Sequence, residues 1–216
     1  MALSSKHTVL LIVDMQNGFI QSDSPLSIAG AEATIPSCVK VIEKARELGI
    51  PAVFIRREYD ADGSTVEAVR YKTWAGGGRP LSKESANPSS LDFAKELQPQ
   101  EGDLIITKPR FSAFFNTGLE KELKARSISS IILIGTTTPN CIRATGYDAL
   151  SLGFNVVIIE DCTSSRSLEV QKANIEDMAF VGMQILSSKE FFETGTERMH
   201  DTEAAHQKAL KETTRT

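Results

Sequence analysis

The sequence predicts an α/β protein, a three-layer α/β/α sandwich around a parallel sheet. Three observations predict it. Short β-branched runs recur along the chain, they are apolar throughout rather than alternating, and helix-like segments follow them. A strand covered on both faces has no polar side, so an unbroken apolar run marks a parallel sheet. Strands that alternate with helices are joined by right-handed crossovers.

The elements follow in order. "HTVLLIVD" (7–14) is the first strand, and "EATIPSCVKVIEKARELGI" then carries apolar residues at helical spacing up to Gly49, a natural helix stop. "PAVFIRR" (51–57), "DLIITK" (103–108), "SIILIG" (130–135) and "NVVIIED" (155–161) are further strands, and "MQIL" (183–186) is a candidate sixth. "NTGLEKELKARSI" and "SLEVQKANIEDMAF" read as helices. Residues 58–90 break the rhythm with "DADGS", "AGGGRP" and "KESANPSS" and are read as a long loop over one end of the sheet. Insertions of this length in compact domains are usually lids or binding loops. The tail, 194–216, mixes charges of both signs with few apolar residues; it reads as a peripheral helix, a docking arm or a frayed end.

Composition narrows the class. A chain of 216 residues suits one sizeable core, so residues 1–216 are expected to form a single domain. Hydrophobic residues at 41% and charged residues at 24% argue against disorder. A net charge of −4 offers no footprint for nucleic acid or an anionic membrane. No apolar run approaches the ~20 residues of a membrane helix. Three cysteines are an odd count, far from a disulfide framework, and fit a reducing cytosol. A cytoplasmic protein is expected.

The chemistry-bearing residues come from position. Ligands of open parallel sheets sit beyond the carboxyl ends of the strands. Asp14 closes the first strand, Lys108 closes the third, and Cys141 follows the fourth. Thr138 reads as an N-cap and Pro139 as the first helical residue, which puts Cys141 in the first turn. There the helix dipole favours a thiolate, and free N–H groups could hold an oxyanion. Cys38 lies on the apolar side of the first helix and reads as core; Cys162, beside Asp161, is a weaker candidate nucleophile.

"LLIVDMQNGF", "ITKPRFSAFFNTGLEKEL" and "LIGTTTPNCIRATGYDALSLGFNVVIIEDCTSS" resemble the three signature blocks of the isochorismatase-like cysteine hydrolases, from about Thr8 to Phe192. That family includes nicotinamidases, N-carbamoylsarcosine amidohydrolases, ureidoacrylate and biuret hydrolases, and isochorismatases. The resemblance implies six parallel strands in the order 3-2-1-4-5-6 and a triad of Asp14, Lys108 and Cys141. It further implies a cis peptide between Thr136 and Thr137, which turns the Thr137 N–H inward beside that of Cys141 as an oxyanion hole. The reaction implied is C–N cleavage of a small amide or carbamoyl compound through a thioester, most similar to the carbamoylsarcosine and ureidoacrylate branch. A vinyl-ether-cleaving isochorismatase and a non-catalytic scaffold on the same fold are the alternatives. Nicotinamidases usually carry a metal site built from an Asp and histidines after the second strand. Here the histidines are His7, His200 and His206, all near the termini, so no metal and no cofactor are expected. Phe19 matches a pocket-lining aromatic of relatives, and Trp74 and Phe111 are candidate wall residues. Arg57, Arg70 and Arg79 are candidates to clamp a substrate carboxylate. A homo-oligomer, dimer or tetramer, is also expected.

Overall fold

A computed structural model describes residues 2–213. The chain runs β1 (Thr8–Val13), α1 (Asn17–Ile20), α2 (Ala31–Glu47), β2 (Ala52–Arg57), α3 (Tyr71–Gly76), β3 (Leu104–Lys108), α4 (Leu119–Ala125), β4 (Ser130–Thr136), α5 (Arg143–Ser151), β5 (Asn155–Ser164), α6 (Leu168–Phe180), β6 (Gln184–Leu186), α7 (Ser188–Thr194) and α8 (Thr202–Thr213). The strands form one sheet in the order β3-β2-β1-β4-β5-β6, every neighbouring pair parallel. A three-layer α/β/α sandwich results.

Each central strand feeds two cores, because successive side chains point to opposite faces. On one face Leu10, Ile12, Phe54, Ile132, Ile134, Val157 and Ile159 pack against Cys38, Val41, Ile42 and Ala45 of α2 and Phe191 of α7. On the other, Val9, Leu11, Val13, Ile55, Leu133 and Ile158 pack against Leu119 and Leu123 of α4, Ala149 of α5 and Met178 of α6. Full burial of each such side chain contributes about 1.5–3 kcal/mol. That is why an unbroken apolar run is stable only as a sheet interior.

Residues 58–90 are not a structureless loop. They hold short 3-10 turns at Ala68–Arg70 and Pro88–Leu91, with α3 between them. Phe19, Tyr59, Val66, Trp74 and Leu81 close a third, separate apolar cluster beneath this cover. Local periodicity is poor because the segment folds around one tryptophan rather than along one helix face.

The tail docks before it becomes a helix. Met199 is fully buried, its carbonyl accepts from the Leu3 N–H at 2.9 Å, and Asn155 Oδ1 accepts from the Thr202 N–H at 2.9 Å. The following helix, α8, buries no residue. Residues 1 and 214–216 of the expected domain and tail lie outside the described residues. Among the described residues, no helix is long and apolar enough to cross a membrane.

Candidate functional site

Asp14 stands immediately after β1 with φ 54, a left-handed conformation that is uncommon outside glycine. Its N–H donates to the Ile55 carbonyl at 2.9 Å, which fixes the backbone against β2. The side chain is fully buried and meets Lys108 from the end of β3, whose Nζ donates to Asp14 Oδ2 at 2.8 Å. Lys108 Nζ also donates to the Arg110 and Phe111 carbonyls at 3.0 and 2.7 Å. All three ammonium protons are thereby directed. Asp14 Oδ1, buried, has no hydrogen-bond partner.

Cys141 completes the group. It is 3% exposed and sits in a π turn, Thr138–Ile142, that precedes α5. The Ile142 N–H reaches back five residues to the Thr137 carbonyl at 3.2 Å. Such one-turn π bulges re-aim side chains and recur at functional sites. Thr137, not Thr138, occupies the N-cap position and makes no side-chain cap.

The three threonines have another task. Thr137 Oγ1 and Thr138 Oγ1 both donate to the Ser164 carbonyl, at 2.9 and 3.0 Å, and Thr136 Oγ1 lies 2.9 Å from Ser164 Oγ. The loop carrying Cys141 is therefore tied to the end of β5. The Thr136–Thr137 peptide is cis. Just before it, Gly135 has φ 113, and a Cβ there would collide with the Val13 carbonyl. Only glycine lets β4 pass this close to β1 next to Asp14.

The surroundings of the thiol oppose the thiolate that the helix dipole is expected to favour. Burial pushes Cys141 up to about 11, and the charge of the Asp14 carboxylate adds to this, against Lys108 and Arg57. Removal from water and a nearby anion both disfavour the charged sulfur. The free Asp14 oxygen and the protonated sulfur are thus complementary.

The Isochorismatase domain profile matches residues 8–190. The chain belongs to the isochorismatase family. It is 34% identical over 195 residues to an Arabidopsis thaliana protein described as a probable inactive nicotinamidase, covering 89% of this chain and 98% of that one. It is 33% identical over 186 residues to the ureidoacrylate amidohydrolase RutB of Pantoea ananatis, covering 79% and 74%. Among solved structures, an isochorismatase family protein from Desulfovibrio vulgaris matches with TM-score 0.81 and 32% identity, over 87% of this chain and 97% of that one.

Within this isochorismatase-family site, the residues expected to touch substrate divide. Trp74 is 1% exposed, its Nε1 donates to the Pro80 carbonyl at 2.8 Å, and its ring packs between Tyr59 and Tyr71. With Phe19 it belongs to the cover's own cluster. Both side chains are buried in that cluster.

Arg57 is not a free clamp either. It is 1% exposed, its Nη2 pairs with Glu67 Oε1 and donates to Tyr59 Oη at 3.0 Å, and its backbone is gripped by Gln16. Burial works against the Arg57 charge, but Tyr59, Cys141, Asp14 and Glu67 together raise its pKa above the ordinary value. Burial pushes Tyr59 up to about 12, Arg57 opposing and Glu67 assisting. Arg79 is exposed, 6.0 Å over the Trp74 ring.

Phe111, a candidate wall residue, lies beside the loop that carries Cys141. It lines a cavity of about 330 Å³ with Pro139, Asn140, Arg143, Ala144 and Tyr147, the first two of which immediately precede Cys141. Arg57 and Arg70 lie 5.3 and 5.0 Å from its ring centroid.

Cys38 and Cys162 stand together in the α2-side core, with Cys38 Sγ 3.5 Å from the Cys162 carbonyl. A hydrogen bond with Cys38 and burial push the Cys162 thiol up, and its weaker candidacy as nucleophile is not supported by this placement. Gln16, Glu67 and Ser164 were missed by sequence reading. Gln16 sits two residues past Asp14 and is fully buried, yet a polar residue after a strand end carries no signal of its own.

Among the described residues, no group of three or more His, Cys, Asp or Glu side chains is placed to hold a metal.

Proposed function

We propose that this chain is a cysteine amidohydrolase that cleaves the C–N bond of a small amide or carbamoyl compound. The observation that carries the reading is the buried set of Asp14, Lys108 and Cys141, with one Asp14 oxygen held by Lys108 and the other unpartnered. The amidohydrolase name of the Pantoea ananatis relative supports it.

Asp14 Oδ1 accepts the Cys141 thiol proton as the sulfur attacks the amide carbon, so the thiolate need not exist beforehand. The Lys108 ammonium compensates the charge that builds on sulfur. The tetrahedral oxyanion is received by the Thr137 and Cys141 N–H groups. Protonated Asp14 then gives its proton to the departing nitrogen, and the C–N bond breaks to leave a thioester. Water attacks the thioester with Asp14 again as base, which releases the acid and restores the thiol.

The test is an ammonia-release screen across small amides, ureas and carbamoyl amino acids, with Cys141→Ala and Asp14→Asn as controls. Turnover that disappears in both variants, with a mass shift for an acyl-enzyme trapped on Cys141, supports the reading. Turnover that survives in Cys141→Ala overturns it.

A further inference from the structure

Helix α6 buries only Ile175 and Met178, and it leaves its two end residues in water. Leu168 is 85% and Phe180 89% exposed, and Val181, next along the chain, is exposed too. They are not scattered. Leu168, Lys172, Glu176 and Phe180 follow one another at four-residue spacing, which sets them along one ridge of the helix. The ridge has an apolar residue at each end and an ion pair, Lys172 Nζ to Glu176 Oε1 at 3.8 Å, between them. Ala173, small and exposed, lies beside its midpoint. Other exposed apolar side chains lack this arrangement. Val69 stands on a short turn of the cover, and the Lys44 ammonium lies over the ring of Phe192.

Such a ridge is its own complement. When two α6 helices lie antiparallel, Leu168 of each copy faces Phe180 of the other, and Lys172 of each faces Glu176 of the other. Parallel helices would instead set lysine against lysine and glutamate against glutamate, which is repulsive. The antiparallel relation is a closed twofold one, in which the same patch serves both copies and no further face is left open.

We propose that α6 is the docking face for a second copy of this chain, with the two α6 helices crossing antiparallel about a twofold axis at Ala173. The inference gives the expected homo-oligomer a specific surface, and it holds whether or not the amidohydrolase reading does. It also bears on the site. Asn174 and Asp177 of the same helix hold Arg143, which lines the cavity beside the Cys141 loop. Docking on α6 braces that rim from behind.

The experiment measures mass in solution by sedimentation and light scattering, over about 1–100 μM protein. Wild type should be a dimer or a larger even assembly. Leu168→Asp combined with Phe180→Asp should weaken the α6 contact at least about a hundredfold in Kd, giving monomer from a dimer or dimer from a tetramer. Both side chains are exposed, so this variant should keep the wild-type circular dichroism. Lys172→Glu alone should weaken assembly roughly tenfold, and Lys172→Glu with Glu176→Lys should restore it, because the exchanged charges still meet across the twofold. That rescue separates docking from any loss of helix stability. A wild type that is monomeric throughout overturns the inference. So does assembly that ignores the α6 variants, or that is lost with Val69→Asp or Phe192→Asp instead.

Discussion

Lys108 Nζ and Asp14 Oδ2 are 2.8 Å apart, and neither residue is exposed to water. Breaking such a pair leaves an uncompensated buried charge, which costs about 3–5 kcal/mol. Lys108→Met is therefore expected to lower stability by that order in chemical denaturation, whereas Lys108→Met with Asp14→Asn recovers most of it. Both variants should lack turnover, because the same pair serves the proposed chemistry. Full activity in Lys108→Met would remove Lys108 from the mechanism.

The Cys141 thiol sets a pH signature. With its pKa pushed up from 9.0 to about 11, alkylation by iodoacetamide should be slow at neutral pH and climb about tenfold per pH unit toward pH 11. A plateau near pH 8 would indicate a thiolate at rest. The folded state holds this proton more tightly than the unfolded chain. The stabilisation is thus present below about pH 9 and lost as pH rises through about 11, on the order of 3 kcal/mol. Cys141→Ser should flatten that part of the alkaline stability curve.

Gly135→Ala should fail at the joint between β1 and β4. The added methyl meets the Val13 carbonyl, and the backbone keeps a φ of 113 that alanine rarely adopts. A loss of more than about 3 kcal/mol, or insoluble protein, is expected. A variant with wild-type melting temperature and crystal structure would show that the close approach is not required.

Glu67→Gln tests the link between cover and sheet. Removing its charge leaves Arg57, 1% exposed, without its ionic partner, which costs up to about 3 kcal/mol. Limited proteolysis should cut between residues 58 and 91 sooner than in wild type, while the sheet stays intact. Unchanged cleavage kinetics would mean that the third apolar cluster alone holds the cover.

Chelation should leave turnover unchanged. His7, at the opposite end of β1 from Asp14, has its Nδ1 2.8 Å from the Ser127 carbonyl, and His206 is exposed on α8. Dialysis against EDTA followed by the ammonia assay checks this, and restoration of a lost activity by zinc would contradict it.

The strands were legible because burial on both faces leaves no room for polar residues, as in Leu10 to Val13. Asp14 and Lys108 could be placed because a charged residue ending such a run must lie at the sheet's carboxyl rim. Trp74 and Arg57 could not. Their roles depend on Pro80 and Glu67, which the folded cover brings to them, and no periodicity encodes that closure. The upward shift of the Cys141 pKa was hidden for a similar reason. Depth of burial and the facing of Asp14 are tertiary facts, whereas a helix start is a local one.

The separate cluster beneath the cover has a consequence for how this protein can change. Phe19, Tyr59, Val66, Trp74 and Leu81 pack with one another outside the two clusters that hold the sheet. Repacking among them is absorbed mainly within the cluster, and it reaches the α2-side core through Ile28, which packs against both. Mutational drift in residues 58–90 can therefore reshape which molecules are admitted while the strand ends bearing Asp14 and Lys108 stay in register. On the proposed function, the cover is the part free to vary, and the strand ends that carry Asp14 and Lys108 are the part held fixed by the sheet.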